Sequence, residues 1–225
     1  MLKIENIKPP ENNINTNILI LLLLLHKNIQ NRYIKMGRLE LIIGPMFSGK
    51  TSRLIQLYNE AILKHDDVLG INYDKDIRYS NTHIVSHDQQ SMPSVNVNQL
   101  IEINIDYNTA QLFEKANIIF INEAQFFKQL KPWVLQYLET TDKTFILCGL
   151  DSDFKRERFG DLLDLVPHAD KVTKLYGTCS VCSEKSLYTH RVSHEQHQEV
   201  IGNINYIPVC RACYTALNYN NKKPT

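Results

Sequence analysis

The chain has 225 residues, 43% of them hydrophobic, and its 25 basic and 24 acidic side chains leave a formal net charge of +1. That is enough chain for one α/β domain and a small appendage. The near-neutral balance excludes a global electrostatic pull toward nucleic acid or a membrane surface.

Residues 1–36 differ from the rest, being rich in Asn, Ile and Lys with an apolar run from Ile18 to Leu25. The run is too short to span a bilayer, and no small-residue cleavage site follows it. A disordered extension of biased composition is the expectation. Arg38–Ile43 is short and apolar and predicts a buried strand. Gly44-Pro45-Met46-Phe47-Ser48-Gly49-Lys50-Thr51 follows, reading G-x-x-x-x-G-K-T. Thr51 to Lys64 then carries Leu54, Leu57, Tyr58, Ala61 and Ile62 at helical spacing. Strand, glycine turn and helix start are the context in which this motif cradles phosphates. Backbone N–H groups and the positive helix end attract the anion. Lys50 is expected on the β- and γ-phosphates, and the Thr51 hydroxyl on Mg²⁺.

Val68–Tyr73 predicts a second strand. It runs into the charged segment Asp74–Tyr79, where Arg78 could reach a phosphoryl group and Asp76 could hold a partner side chain. A solvated loop carries such a pair equally well. Apolar pulses at Ile84-Val85 and Leu100-Ile101 suggest two short strands. A helix is expected over Asn108–Ala116. Ile118–Ile121 then runs into Asn122-Glu123, the form of a buried strand that delivers acidic groups beside a nucleotide's metal. The first polar residue of such a strand is usually Asp; Asn122 carries no charge. Phe127–Glu139 predicts a helix with Pro132 in its first turn, and Thr144–Cys148 another buried strand, in which Cys148 is a small core residue. Gly149–Gly160 reads as a loop. Its Phe154, Lys155, Arg156, Arg158 and Phe159 suit either a base-stacking wall beside a phosphate clamp or a surface loop anchored by phenylalanines. A short helix over Asp161–Val166 and a closing strand over Val172–Leu175 complete this part.

Of the five cysteines, four form Cys179-x-x-Cys182 and Cys210-x-x-Cys213, with the 27 residues 183–209 between the pairs. An odd cysteine total, no convincing signal peptide and a nucleotide loop argue for a reducing compartment, where paired C-x-x-C means metal. Two such knuckles close a Cys₄ zinc site; with no open position it is structural, holding a lobe too small for its own core. The segment between the knuckles is a candidate lid over a neighbouring cleft. His190, His194 and His197 read as exposed polar residues, since four sulfurs already fill the tetrahedron. A nucleic-acid-dependent ATPase would share the phosphate loop and the Glu-bearing strand but needs further coupling segments. A non-enzymatic zinc-ribbon module would not need Lys50, Thr51 and Glu123.

Taken together, several segments resemble the cytosolic (type II) thymidine kinases over about residues 37–217. They are the phosphate loop, Lys75-Asp76-Ile77-Arg78-Tyr79, Asn122-Glu123-Ala124-Gln125-Phe126-Phe127, Phe154 with Phe159-Gly160, Tyr188-Thr189-x-Arg191, Val200-Ile201-Gly202 with Tyr206, and the four cysteines. The resemblance implies ATP-dependent phosphorylation of the thymidine 5′-hydroxyl, and of deoxyuridine, in nucleotide salvage. Glu123 matches the proton acceptor. Gly44 to Thr51, Asp76, Ile77, Arg78, Asn122, Glu123, Ala124 and Gln125 match ATP and phosphate contacts. Phe126, Phe154, Phe159 and Thr189 match residues near the base, as do Met46 and Leu150. Gln198, Glu199, Val200, Ile201, Gly202 and Tyr206 match a lid that reads the base largely through main-chain groups. Gln198 departs from the family pattern, where an apolar residue is common. Cys179, Cys182, Cys210 and Cys213 match zinc ligands.

The resemblance further implies Mg²⁺ with ATP, feedback inhibition by dTTP, a cytoplasmic homotetramer, and neither nucleic-acid nor membrane partners. The expected fold is a P-loop NTPase-type, RecA-like parallel sheet over 37–175, with a C-terminal zinc-ribbon lobe carrying the lid over 176–217 and a flexible tail over 218–225.

Overall fold

The computed structural model describes Ile18, Ile20, Leu21 and residues 36–75, 82–195, 197–199 and 205–220. The chain divides into two units, Met1–Lys35 and Met36–Thr225. In the first, Ile18, Ile20 and Leu21 are helical. Everything below concerns the second. Asp76, Ile77, Arg78, Val200, Ile201 and Gly202 lie outside the described residues, as do most of the N-terminal extension and residues 221–225 of the tail.

The described elements are β1 (Arg38–Gly44), α1 (Lys50–Leu63), β2 (Val68–Tyr73), β3 (His83–Val85), β4 (Ser91–Pro93), β5 (Val95–Val97), α2 (Tyr107–Lys115), β6 (Ile118–Ile121), α3 (Leu130–Thr140), β7 (Thr144–Leu150), β8 (Lys171–Lys174), β9 (Gly177–Thr178), β10 (Lys185–Ser186), β11 (Tyr188–Arg191), β12 (Tyr206–Val209) and α4 (Arg211–Asn220). Six strands form one sheet in the order β5-β2-β6-β7-β1-β8, and every pairing within it is parallel. This is the doubly covered parallel sheet expected from the motif.

The unbroken apolar runs follow from burial on both faces. Leu39, Leu41, Ile119, Ile121, Phe145 and Leu147 point into one core with Phe113 of α2 and Trp133 and Val134 of α3. The alternating residues Ile42, Phe120, Ile146 and Cys148 enter a second core with Leu54 and Ile55 of α1 and with Ile84 and Met92 of the β3–β4 hairpin. A period of two thus serves two cores at once.

Three local readings differ from the sequence expectation. Leu100-Ile101 lies in a 3₁₀ turn over Leu100–Asn104, set by a capping box between Gln99 and Glu102; the short strands after β3 are Ser91–Pro93 and Val95–Val97 instead. β7 continues through Gly149 to Leu150 because its pairing with β1 runs to Gly44↔Leu150. α3 starts at Leu130, not Phe127: a 3₁₀ turn over Ala124–Phe126 and a left-handed Gln129 precede it. Phe127 packs into the first core at 1% exposure.

C-terminal to β8, the β9–β10 and β11–β12 pairs are both antiparallel. Their core is small, with Cys179, Val209 and Tyr214 buried and Tyr188, Ile207 and Leu217 packed against them. A cluster of that size needs a cross-link of another kind.

Candidate functional site

The carboxyl ends of β6, β7 and β1, neighbours in the sheet, bring Asn122-Glu123, Leu150 and Gly44 to one edge, where ligands of open parallel sheets bind. At the end of β1 the chain turns through Phe47 and Gly49, both left-handed at φ 62° and 80°. Glycine adopts that conformation without penalty. α1 begins immediately after, with no acidic residue in its first turn, so its positive end is left for an anion. Lys50 is 8% exposed, and its Nζ donates to the Pro45 carbonyl at 2.7 Å. The Ser48 hydroxyl donates to the same oxygen at 2.8 Å. The Met46 N–H donates to Thr189 Oγ1 at 2.9 Å, tying the loop to β11.

At the end of β6, Asn122 is 2% exposed. Its Nδ2 donates to Asn72 Oδ1 at 2.9 Å, and Cys148 Sγ donates to its Oδ1 at 3.0 Å. The amide is held by neutral partners on two sides. Glu123 is left-handed at φ 50°, a strained state for a residue with a Cβ and one that concentrates at functional positions. Its Oε2 accepts from Gln125 Nε2 at 2.7 Å. Gln125 Oε1 in turn accepts from the Leu150 N–H at 3.0 Å. Gln125, itself 2% exposed, therefore links the carboxylate to the end of β7. Gly160 leaves it room, because a Cβ there would lie 2.1 Å from the Gln125 carbonyl oxygen.

These groups border a cleft of about 310 Å³. Of the residues expected from sequence, Met46 to Thr51, Asn122, Glu123, Phe126, Leu150, Phe154, Phe159, Thr189, Gln198, Glu199 and Tyr206 line it together. Gly44, Pro45, Ala124 and Gln125 support its walls without lining it. The aromatic side is prebuilt: Phe126 stacks on Tyr73 with centroids 5.0 Å apart and meets Phe159 edge-on at 5.2 Å.

Sequence reasoning missed the β3–β4 turn, which brings Ser86, His87 and Asp88 into the same lining. His87 lies against the Phe47 ring at 5.2 Å. Asp88 Oδ1 accepts from Ser52 at 2.9 Å and from Ser86 at 2.6 Å, and the Ser86 and Ser52 hydroxyls hold its carboxyl below the usual range. No local signal marks these residues, because only their contact with α1 gives them a place.

Cys179, Cys182, Cys210 and Cys213 bring their sulfurs within 4.8 Å of one another, and Cys182 and Cys210 approach to 3.6 Å. A tetrahedron with 2.3 Å metal–sulfur bonds has an edge of about 3.8 Å, so the cluster fits one metal ion. Burial pushes the Cys179 thiol up, but main-chain donors at Cys210, Val181 and Cys182 outweigh it and bring it down to about 6. The second pair sits at the start of α4. His194 and His197 are exposed as expected, but His190 is buried at 8% exposure. It packs edge-on to Tyr214 at 6.1 Å, and burial lowers its pKa.

A family model described as thymidine kinase matches residues 37–214. The thymidine kinase of Yaba monkey tumor virus is 39% identical over 184 residues, covering 81% of this chain and 97% of the viral one. The cytosolic thymidine kinase of Gallus gallus is 37% identical over 182 residues, 79% of this chain and 77% of its own. The thymidine kinase of Oryza sativa subsp. japonica is 37% identical over 180 residues, 79% of this chain and 66% of its own. Among the described residues no helix is long and apolar enough to cross a membrane.

Proposed function

The chain belongs to the thymidine kinase family, and from that premise we propose that it phosphorylates the 5′-hydroxyl of thymidine, and of deoxyuridine, with ATP in nucleotide salvage. One observation carries the proposal: the phosphate loop, a carboxylate on a strained residue and an aromatic wall all border a single cleft. Gly44 to Thr51 would hold the triphosphate. Lys50 would leave the Pro45 carbonyl for the β- and γ-phosphates and stabilise the charge on the transferring group. Mg²⁺ would come with ATP, and the Thr51 hydroxyl, which lines the cleft, would hold it. Arg78, with Asp76 and Ile77, is assigned to the phosphate side from sequence alone.

Glu123, kept in orientation by Gln125, would accept the proton of the attacking 5′-hydroxyl. Phe126, Phe154 and Phe159 would enclose the pyrimidine beside Thr189. Gln198 to Gly202 and Tyr206 would close over it and exclude water. Asn122, hydrogen-bonded to Asn72 and Cys148, would support this edge without touching the ion. We read residues 37–175 as the kinase domain and 176–217 as the lobe held by Zn²⁺ on the four cysteines. The extension 1–36 and the tail from 218 lie outside the catalytic unit. Feedback inhibition by dTTP, a homotetramer and a cytoplasmic location belong to the same reading.

The test is ATP with a panel of free deoxynucleosides, scored for monophosphate. Formation of dTMP with little purine product is expected. ATP hydrolysis stimulated by oligonucleotides, with no monophosphate, would replace the proposal by a nucleic-acid motor.

A further inference from the structure

Arg191 is a buried cation that the reaction above does not use. It ends β11 and pairs with Tyr206 of β12 across the neck of the loop 192–205. The neck is closed by the Val192 N–H donating to the Asn205 carbonyl at 2.8 Å. Arg191 is only 5% exposed and does not line the cleft. Its Nη1 donates to the carbonyls of Glu195, at 2.9 Å, and His197. Its Nη2 donates to the carbonyl of Gln198, at 3.1 Å, and to the Tyr206 hydroxyl. One face of the guanidinium lies 3.7 Å from the Phe154 ring centroid.

Among the described residues its partners are thus loop carbonyls, one hydroxyl and an aromatic face, rather than a carboxylate. A buried guanidinium strands its charged donors if those oxygens leave, so the cation and the loop conformation stabilise each other. The planar fork suits this arrangement; a lysine ammonium, with three donors on a flexible stem, cannot match acceptors spread over three residues and Tyr206. A second tie runs the same way: Gln198 Nε2 donates to Asp153 Oδ2 at 2.8 Å and to the Arg158 carbonyl at 2.9 Å.

We propose that Arg191 fixes the stretch from Glu195 to Gln198 against the Phe154 wall of the cleft and is a specificity-determining positioning residue for the nucleoside. A cleft wall built on loop backbone is only as selective as that backbone is fixed. Here one side chain holds the carbonyls of Glu195, His197 and Gln198 and the Phe154 ring beside them. The inference rests on the nucleoside-kinase reading above.

The test uses Arg191→Lys and Tyr206→Phe in the full-length protein. Thymidine and ATP KM, kcat, bound zinc and deuterium uptake over 193–206 are measured. For Arg191→Lys the thymidine KM should rise about 10- to 100-fold with the ATP KM within about two-fold, because the loop conformation held by the guanidinium becomes a minority state. Uptake over 193–206 should increase while zinc stays stoichiometric. Tyr206→Phe, which leaves the cation but removes one acceptor, should show the same split at smaller size. Thymidine KM within two-fold of wild type with unchanged uptake in Arg191→Lys overturns the proposal. So does an equal rise in both KM values. Absence of thymidine phosphorylation by the wild type sinks the kinase reading instead, and the uptake comparison still decides whether Arg191 orders the loop.

Discussion

Replacing Gly160 with alanine tests how the carboxylate is held. Gly160 has φ 62°, so any side chain there costs about 1–2 kcal/mol in backbone strain alone. The added Cβ would stand 2.1 Å from the Gln125 carbonyl oxygen and 3.0 Å from its carbonyl carbon. Both groups are main chain, so the two segments must part by about 1 Å, an overpacking that costs about 1–3 kcal/mol more. The sum of about 2–5 kcal/mol lowers Tm by roughly 4–20 °C for a domain of this size.

The displaced residue is the one that bridges Leu150 to Glu123, so the carboxylate shifts with it. A misplacement of about 1 Å at a reacting group costs on the order of 10²-fold in rate. Gly160→Ala should therefore lose about 10²-fold in kcat, measured at least 10 °C below its own Tm, as expected from that misplacement, with the ATP KM little changed. A kcat within three-fold of wild type would refute the chain of contacts from Gly160 through Gln125 to Glu123.

Glu123→Gln should nearly abolish dTMP formation while leaving thymidine affinity by calorimetry within about three-fold, since it removes the proton acceptor and little volume; unchanged turnover excludes Glu123 from that role. Asn122→Asp loses the amide donor to Asn72 Oδ1 and should cost about 1–3 kcal/mol in a thermal scan. Apparent Mg²⁺ affinity in a turnover titration should move less than about ten-fold, and a larger change would mean that position 122 touches the ion. Chelating the metal proposed on the four cysteines should expose residues 176–214 to deuterium exchange and weaken thymidine binding before ATP binding, because the lobe's own core is small; equal loss of both would argue against a separate lobe.

Features that depend on neighbours along the chain were legible from residues alone. The phosphate loop was, because its spacing serves one local turn and helix start. So were the central strands, because parallel strands buried on both faces leave continuous apolar runs, and the cysteine pairs, because metal chemistry sets their spacing. Thr189 on the Met46 N–H was not, the partners lying 143 positions apart. Nor was the Ser86–Asp88 turn against α1, nor Arg191 gathering the carbonyls of Glu195, His197 and Gln198. In the sequence Gln125 reads as one residue of a nucleotide segment; in the fold it is the strut of the carboxylate, and Gly160 is glycine because that strut passes there. Such contacts join polar groups brought together only by the docking of distant elements, and their geometry has no imprint in local propensity or period.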